Sequence, residues 1–381
     1  MSPKLWMNGF IVWGTSFFFY FRRQRANADA CTLISHSFFC DIGLPICSIC
    51  YILNMEGSKA GTDCIPRLSG SGMRRGDELA SWLSEGENTR KVRKNMKKII
   101  SGKVRDVYEV NDQQLAVVTT DRISAFDVIL KSQVEGKGIA LNLISNYWFD
   151  FTKDIIPNHI VSTDIKDMPE FFSQDAAAYD KRTVLVKKLK MLPYEFVVRG
   201  YIFGNMWKAY QNKTAFCGYE IQGDYQLAQK LETPILTPSS KNTEGHDEYI
   251  PMDQLYSEIG KEKADAICDI CLKLYQRCYE HAKERGILIA DTKFELGYDE
   301  DGNLVLADEI FTPDSSRFWD ASQYRVGESP KSYDKQFVRD WLIANHLDGV
   351  TPAPELPADV LEATSKTYKE CYQKITGRDE Y

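Results

Sequence analysis

Asp291, Lys293 and Glu295 fall at alternate positions of Ile287-Leu-Ile-Ala-Asp-Thr-Lys-Phe-Glu-Leu-Gly-Tyr298. The turn Asp299-Glu-Asp-Gly302 then separates that run from Asn303-Leu-Val-Leu-Ala-Asp-Glu-Ile-Phe311, a pattern that predicts a β-hairpin. Strand periodicity puts Asp291, Lys293 and Glu295 on one face. With the turn centred between Glu300 and Asp301, residue numbers across the pair sum to about 601, so Lys293 faces Asp308 and Glu295 lies one step along the same face. A slip of one residue sends Asp308 to the other face. Three carboxylates around one lysine have two readings. One is a solvated sheet face of cross-strand ion pairs; the other is a Mg²⁺–nucleotide site, where carboxylates hold a hard cation that bridges phosphates. The hairpin alone leaves them evenly matched.

Neighbouring residues shift that balance. Thr312-Pro-Asp-Ser-Ser-Arg317-Phe-Trp-Asp packs hydroxyls, a carboxylate and an arginine into one loop, a set suited to phosphate. Val198-Arg199-Gly200 places a second arginine where a strand ends and a helix begins. Ser101-Gly-Lys103-Val-Arg105-Asp106 sets a small turn and two cations before an early strand, as a lid over phosphates would; it is not a Walker loop. His246, beside Asp247 and Glu248, reads as an oriented hydrogen-bonding residue rather than a base or ligand.

The elements that must carry these groups are mixed. Short strands are expected over Lys103–Val110, Leu115–Thr119, Thr183–Lys190 and Glu195–Val198, the last two split by Pro193. Helical spacing of Leu141, Ile144, Trp148 and Phe151 predicts a helix over Gly138–Lys153, and others follow at Tyr201–Asn212 and Ser332–His346. A long helix with room for one break is expected over Asp253–Arg285, ended by Gly286, and a last one from Pro357 to Gly377. Cys268, Cys271 and Cys278 sit on or beside the apolar stripe of the long helix and read as core. Trp148, Trp207, Trp319 and Trp341 do too. Hairpins and helices without a βαβ rhythm indicate an α+β fold.

The chain has 381 residues and a formal charge of −7, with 43% hydrophobic and 27% charged residues. This excludes a polytopic membrane protein and a disordered chain, and the acidic balance argues against nucleic acid as the partner. The charge is uneven. Residues 1–95 carry 12 Lys/Arg against 8 Asp/Glu, which leaves a net −11 on the other 286. The apolar run Phe10–Phe21 is too short to span a membrane, and its arginines follow it instead of leading it, so stable membrane insertion is not expected. Cys47-Ser-Ile-Cys50 lacks a second ligand pair, and Gly70-Ser-Gly72 lacks flanking elements; neither is assigned a function. Among a membrane-associating leader, an organelle-targeting segment, an accessory domain and an over-extended reading frame, the last is favoured, with the start at Met96 or Met73. Free cysteines in the patterned region fit a reducing cytoplasm.

Eight blocks occur in an order that resembles the phosphoribosylaminoimidazole-succinocarboxamide synthase (SAICAR synthetase) family. They are Gly102-Lys-Val-Arg-Asp-Val-Tyr108, Thr120-Asp-Arg-Ile-Ser-Ala-Phe-Asp127, Val198-Arg-Gly-Tyr-Ile202, Thr237-Pro-Ser-Ser-Lys241, His246-Asp-Glu248, Ala290-Asp-Thr-Lys-Phe-Glu295, Pro313-Asp-Ser-Ser-Arg317 and Ser332-Tyr-Asp-Lys-Gln-Phe337. The resemblance runs from about Gly102 to Gly377. It implies an antiparallel-sheet N-terminal lobe (96–190) whose glycine-rich hairpin covers ATP, and a larger mixed lobe (191–381) that carries Mg²⁺ and substrate sites and the C-terminal helices. The nucleotide would lie between them.

The implied reaction joins L-aspartate to carboxyaminoimidazole ribotide (CAIR), with ATP cleaved to ADP and phosphate. Lys103 and Arg105 then resemble the residues on ATP phosphates, and Lys187 to Met191 the hinge at adenine. Glu295 and Asp308 resemble the Mg²⁺ carboxylates. Arg199 and Arg317, with Ser315 or Ser316, resemble the ribotide phosphate clamp. Asp121, Ser124, Asp127, Lys137, Lys241, His246, Asp247, Asp291 and Lys293 match residues of the ribotide and aspartate pockets. Asp127 or Asp247 would take the amine proton. One departure is Gly204-Asn205 where the family commonly has Gly-Ser, so Asn205 would have to donate through its amide. The alternatives are a small-molecule kinase on a related scaffold and a membrane-tethered binding module. Oligomer formation stays open.

Overall fold

The apolar run Ile287–Tyr298 becomes the central strand of the protein, buried at ten of its twelve positions, because strands lie on both its edges and a long helix lies across its back. The computed structural model describes residues 7–13, 16–21, 96–126, 128–241 and 248–381. Two compact units divide the chain, 1–75 and 76–381. In the first, β1 (Met7–Trp13) and β2 (Ser16–Phe21) pair antiparallel and overlap the apolar run noted above. The Cys47–Cys50 and Gly70–Gly72 segments lie outside the described residues.

The described residues of the second unit begin with β3 (Lys97–Ser101), β4 (Arg105–Glu109), β5 (Gln114–Thr119) and a separate hairpin of β6 (Arg122–Ala125) and β7 (Val128–Gln133). Then come α1 (Lys137–Phe151), β8 (Ile160–Ser162), two single-turn helices α2 (Glu170–Ser173) and α3 (Ala176–Tyr179), and β9 (Thr183–Lys187). One antiparallel sheet has the order β3-β4-β5-β9-β8. The chain continues through β10 (Lys190–Met191), β11 (Tyr194–Tyr201), α4 (Gly204–Gln211), β12 (Lys230–Ser240) and β13 (Glu248–Tyr249). After α5 (Met252–Ile259) and α6 (Lys261–Glu284) come the central strand β14 (Ile287–Tyr298), β15 (Leu304–Ala307), β16 (Ser316–Asp320), α7 (Gln336–Ala344) and α8 (Ala358–Thr376). The second sheet has the order β10-β14-β11-β12-β13, with β15 and β16 also paired to β14. The α+β expectation holds.

Boundaries moved for local reasons. The expected long helix is two, broken at Gly260, whose φ of +88° no helical residue adopts. The helix expected from Tyr201 starts at Gly204, since Tyr201 still pairs with Lys230 as the end of β11. Pro234 and Pro238 hide the strand character of β12, yet it pairs along most of β11. The core centres on α1, α6, α8 and β14, with Trp148, Trp319, Tyr275, Phe294 and Phe318 almost wholly buried; Trp207 and Trp341 are half-buried. Cys271 and Cys278 fill that core, and every cysteine from Cys217 onward is a free thiol.

Candidate active site

Alternation along β14 delivers three groups to one face, and its neighbouring strands supply their partners. Asp291 lies directly across from Arg199 on β11 and from Arg317 on β16. One carboxylate oxygen accepts from Arg199 Nη1 at 2.9 Å and also from Arg317. Arg199 further donates from Nε to Thr237 Oγ1 at 3.0 Å and from Nη2 to the Tyr249 hydroxyl at 3.2 Å. Its side chain is 3% exposed, whereas that of Arg317 is 41% exposed. Asp291 holds Arg317 charged above the ordinary guanidinium range, against the opposing effect of burial. Gly204 sits at φ +60°, and a Cβ there would meet Arg317 Nη2 at 3.1 Å, so any other residue at the start of α4 would strain the backbone and press on the guanidinium.

Two residues further along, Lys293 Nζ lies 2.7 Å from Glu195 Oε1, 2.8 Å from Glu295 Oε1 and 4.0 Å from Asp308 Oδ2. Lys241 pairs with the other oxygen of Glu295, and Arg105 pairs with both Asp308 and Glu309. Burial alone would lower Lys293, but Glu295, Asp308 and Glu195 hold it well above the usual lysine range. Burial likewise opposes ionisation of Asp308, yet Arg105, Lys293 and Lys241 bring its carboxyl down to about 2.

The hairpin register differs from expectation by one residue. Glu295 pairs with Ala307 and Tyr298 with Leu304, because the turn runs over five residues and closes by Asp299 N–H to Asn303 C=O at 3.1 Å. That slip would carry Asp308 to the wrong face if the strand continued. It does not continue. β15 ends at Ala307, and Asp308 takes φ +59°, a left-handed conformation that Asp tolerates better than most residues. The carboxylate thereby returns to the Lys293 side.

Arg105, Lys187, Met191, Lys241, Glu295 and Asp308 line one cleft of about 380 Å³. Its apolar wall comes from Val107, Val117, Val184 and Val186 of the first sheet, opposite the charged end. Buried His159, packed on Phe149 at 5.2 Å, also lines it, and desolvation lowers its pKa to about 4. An apolar slot ending in alternating cations and carboxylates suits a planar base with a phosphate tail. Lys103 is exposed in the β3–β4 loop. A second cavity, of about 300 Å³, is lined by Asp320, Tyr333 and Lys366 and by none of these groups.

Other expected residues sit elsewhere. Ser316 Oγ donates to Thr292 Oγ1 at 2.8 Å, and Ser315 bonds within its own loop to Thr312. Asn205 Nδ2 donates to the Tyr249 hydroxyl at 3.4 Å. Asp121 spends one oxygen on the Gly138 N–H at the start of α1 (2.8 Å) and the other on Arg182 (3.0 Å). Ser124 pairs with Ile129 in the β6–β7 hairpin. Lys137 has no exposed surface: its ammonium faces Asp314 at 2.8 Å, in the turn that leads into β16, so the expected loop ends at Ser315 and Ser316 and Arg317 open the strand. Asp127, His246 and Asp247 lie outside the described residues.

Glu195, Glu309, Tyr249 and His159 are additions. Glu195 had a signal, since strand alternation puts it on the face of Arg199. Glu309 adjoins Asp308. Tyr249 and His159 had none.

The sequence profile of the SAICAR synthetase family matches residues 98–354. A phosphoribosylaminoimidazole-succinocarboxamide synthase of Chromobacterium violaceum is 47% identical over 284 residues, 74% of this chain and 99% of that protein. One of Lachnospira eligens is 48% identical over 289 residues, covering 74% and 95% respectively. Among solved structures, a SAICAR synthase of Saccharomyces cerevisiae complexed with SAICAR superposes with a TM-score of 0.71 at 41% identity, over 75% of this chain and 96% of that one. A SAICAR synthetase in complex with ADP gives 0.54 at 26% identity, over 74% and 99%.

Proposed function

The chain belongs to the SAICAR synthetase family and is an ATP-dependent ligase of purine biosynthesis, and from that premise we propose how its residues divide the reaction. The enzyme joins L-aspartate to CAIR while ATP becomes ADP and phosphate. The observation that carries our assignment is the alternation of Asp291, Lys293 and Glu295 on β14, which ties a two-arginine cluster to a carboxylate–lysine cluster on one strand face. Nothing in the comparisons favours a kinase.

Adenine occupies the apolar part of the cleft beside Lys187 to Met191, with Lys103 and Arg105 addressing the phosphates. Glu295 and Asp308 offer hard oxygen donors. Two such carboxylates suit Mg²⁺, an ion commonly held by one or two carboxylates plus substrate phosphates. When bound, it would offset the phosphate charge. Arg317, with Arg199 beneath it and Ser315, Ser316 and Asn205 beside it, receives the ribotide phosphate. Lys241 and Lys293 hold substrate carboxylates; Lys293 remains an ammonium at neutral pH and acts by charge. Lys137, paired with Asp314, braces the segment that leads into Ser315, Ser316 and Arg317.

A carboxylate is a poor electrophile. An oxygen of the CAIR carboxylate attacks the γ-phosphorus, its bond to ADP breaks, and an acyl phosphate results. The neutral amine of aspartate then attacks the acyl carbon, the C–N bond forms, phosphate leaves, and Asp127 or Asp247 accepts the amine proton. CAIR labelled with ¹⁸O in its carboxylate should deliver one label to inorganic phosphate. Label-free phosphate would overturn the acyl phosphate step, and ADP release with product formed in the absence of aspartate would overturn the ligase assignment. The free thiols of the described residues are compatible with a cytoplasmic enzyme.

A further inference from the structure

Arg199 supplies its charge from beneath the surface. With its side chain 3% exposed, and with donors committed to Thr237 and Asp291, what it presents to the open side of the site is the Tyr249 hydroxyl. That oxygen accepts from Arg199 Nη2 at 3.2 Å and from Asn205 Nδ2 at 3.4 Å. A phenol has two acceptor positions and one donor, so both acceptor positions are filled and its own proton is left to give. Donation from a guanidinium also polarises the O–H and strengthens it as a donor.

The ring is held for this task. Its centroid lies 4.8 Å from that of Phe216 and 5.6 Å from the Arg199 guanidinium carbon, and Tyr249 pairs with Ser239 across β12 and β13. The residue remains 40% exposed. Arg317, also open to solvent, shares Asp291 with Arg199.

We propose that Tyr249 is a substrate-binding residue that donates its phenolic hydrogen bond to the ribotide phosphate, with Asn205 and Arg199 acting through it as positioning residues. This rests on the assignment of that phosphate to the Arg199–Arg317 cluster. The full chain with Tyr249→Phe should show a KM for CAIR raised about tenfold, the loss of one hydrogen bond to a charged group. Its kcat, KM for ATP and melting temperature should be unchanged. Asn205→Ala/Tyr249→Phe should be no worse than Tyr249→Phe alone, because Asn205 reaches the phosphate only through the phenol. Arg317→Ala serves as the control. If it raises the CAIR KM while Tyr249→Phe leaves it within twofold, the proposal fails and the phosphate assignment stands. If neither variant moves it, both fail. A Tyr249→Phe variant with lower kcat, altered ATP KM and a lower melting temperature would mark a structural tyrosine and also overturn the proposal.

Discussion

Asp314→Asn is a sensitive test of how the phosphate-side loop is held. The Asp314 side chain is 4% exposed and faces Lys137 at 2.8 Å and Lys335 at 3.4 Å, and accepts from Tyr368 Oη at 2.6 Å. Burial alone would raise its pKa, but these two ammonium groups and the phenol hold it well below the usual carboxylate range. The amide keeps the shape and removes the charge, so the fully buried Lys137 loses its counter-ion. Breaking one side of such a pair costs about 3–5 kcal/mol. For the 286 residues beyond residue 95, an unfolding entropy of about 0.6 kcal/mol/K converts this into a melting temperature lower by about 5–8 °C. Differential scanning fluorimetry reads it directly. Because the folded carboxyl titrates below its unfolded value of 3.8, the stabilisation is complete above that pH and fades only as pH falls further. The gap between wild type and variant should therefore be constant from pH 5 to 7 and narrow below pH 4. Replacing the pair with Lys137→Met/Asp314→Leu should recover part of the loss. A melting temperature within 1 °C of wild type for Asp314→Asn would refute the reasoning, since it would mean that Lys137 never depended on this charge.

Three further outcomes follow from the same geometry. Glu295→Gln or Asp308→Asn should remove most activity and raise the Mg²⁺ concentration needed for half-maximal rate; full activity in either would separate the hairpin from the metal. His159, with its pKa lowered by burial to about 4 from 6.5, is neutral when folded, while the unfolded chain gains a proton below pH 6.5. Stability should therefore fall by up to roughly 3 kcal/mol between pH 6.5 and 4, and a wild-type minus His159→Gln difference that stays flat in denaturant melts over that range would contradict it. Gly204→Ala places a Cβ beside Arg317 at a left-handed position, at about 1–2 kcal/mol of backbone strain. Steady-state kinetics should show a raised CAIR KM and an unchanged ATP KM.

Much of this site was written in local patterns, and the rest needed the fold. Period-two alternation was enough to group Asp291, Lys293 and Glu295, since burial on both faces left the polar positions conspicuous. The register was missed by one because an acidic turn can close over four or five residues with the same composition. Asp308 reached its expected neighbour anyway, through a backbone conformation that pattern reading does not see. Lys137 was expected in a pocket, but its partners Asp314 and Tyr368 lie about 180 and 230 residues further along the chain. Prolines concealed β12, and with it Thr237 behind Arg199 and the pairing that presents Tyr249.

β14 has a mechanical consequence. Asp291 and Glu295 belong to the same unbroken strand, so on the assignment proposed above the anchorages of the ribotide phosphate and of the nucleotide phosphates are set apart at a fixed gauge of about 13 Å along the backbone. No joint lies between them. The cleft's other wall, the five-stranded sheet with its β3–β4 loop, is the part that this strand does not fix. Deleting a single residue from 292–294 would shorten that gauge by about 3.3 Å and turn Glu295 to the other face, disabling both stations with one change.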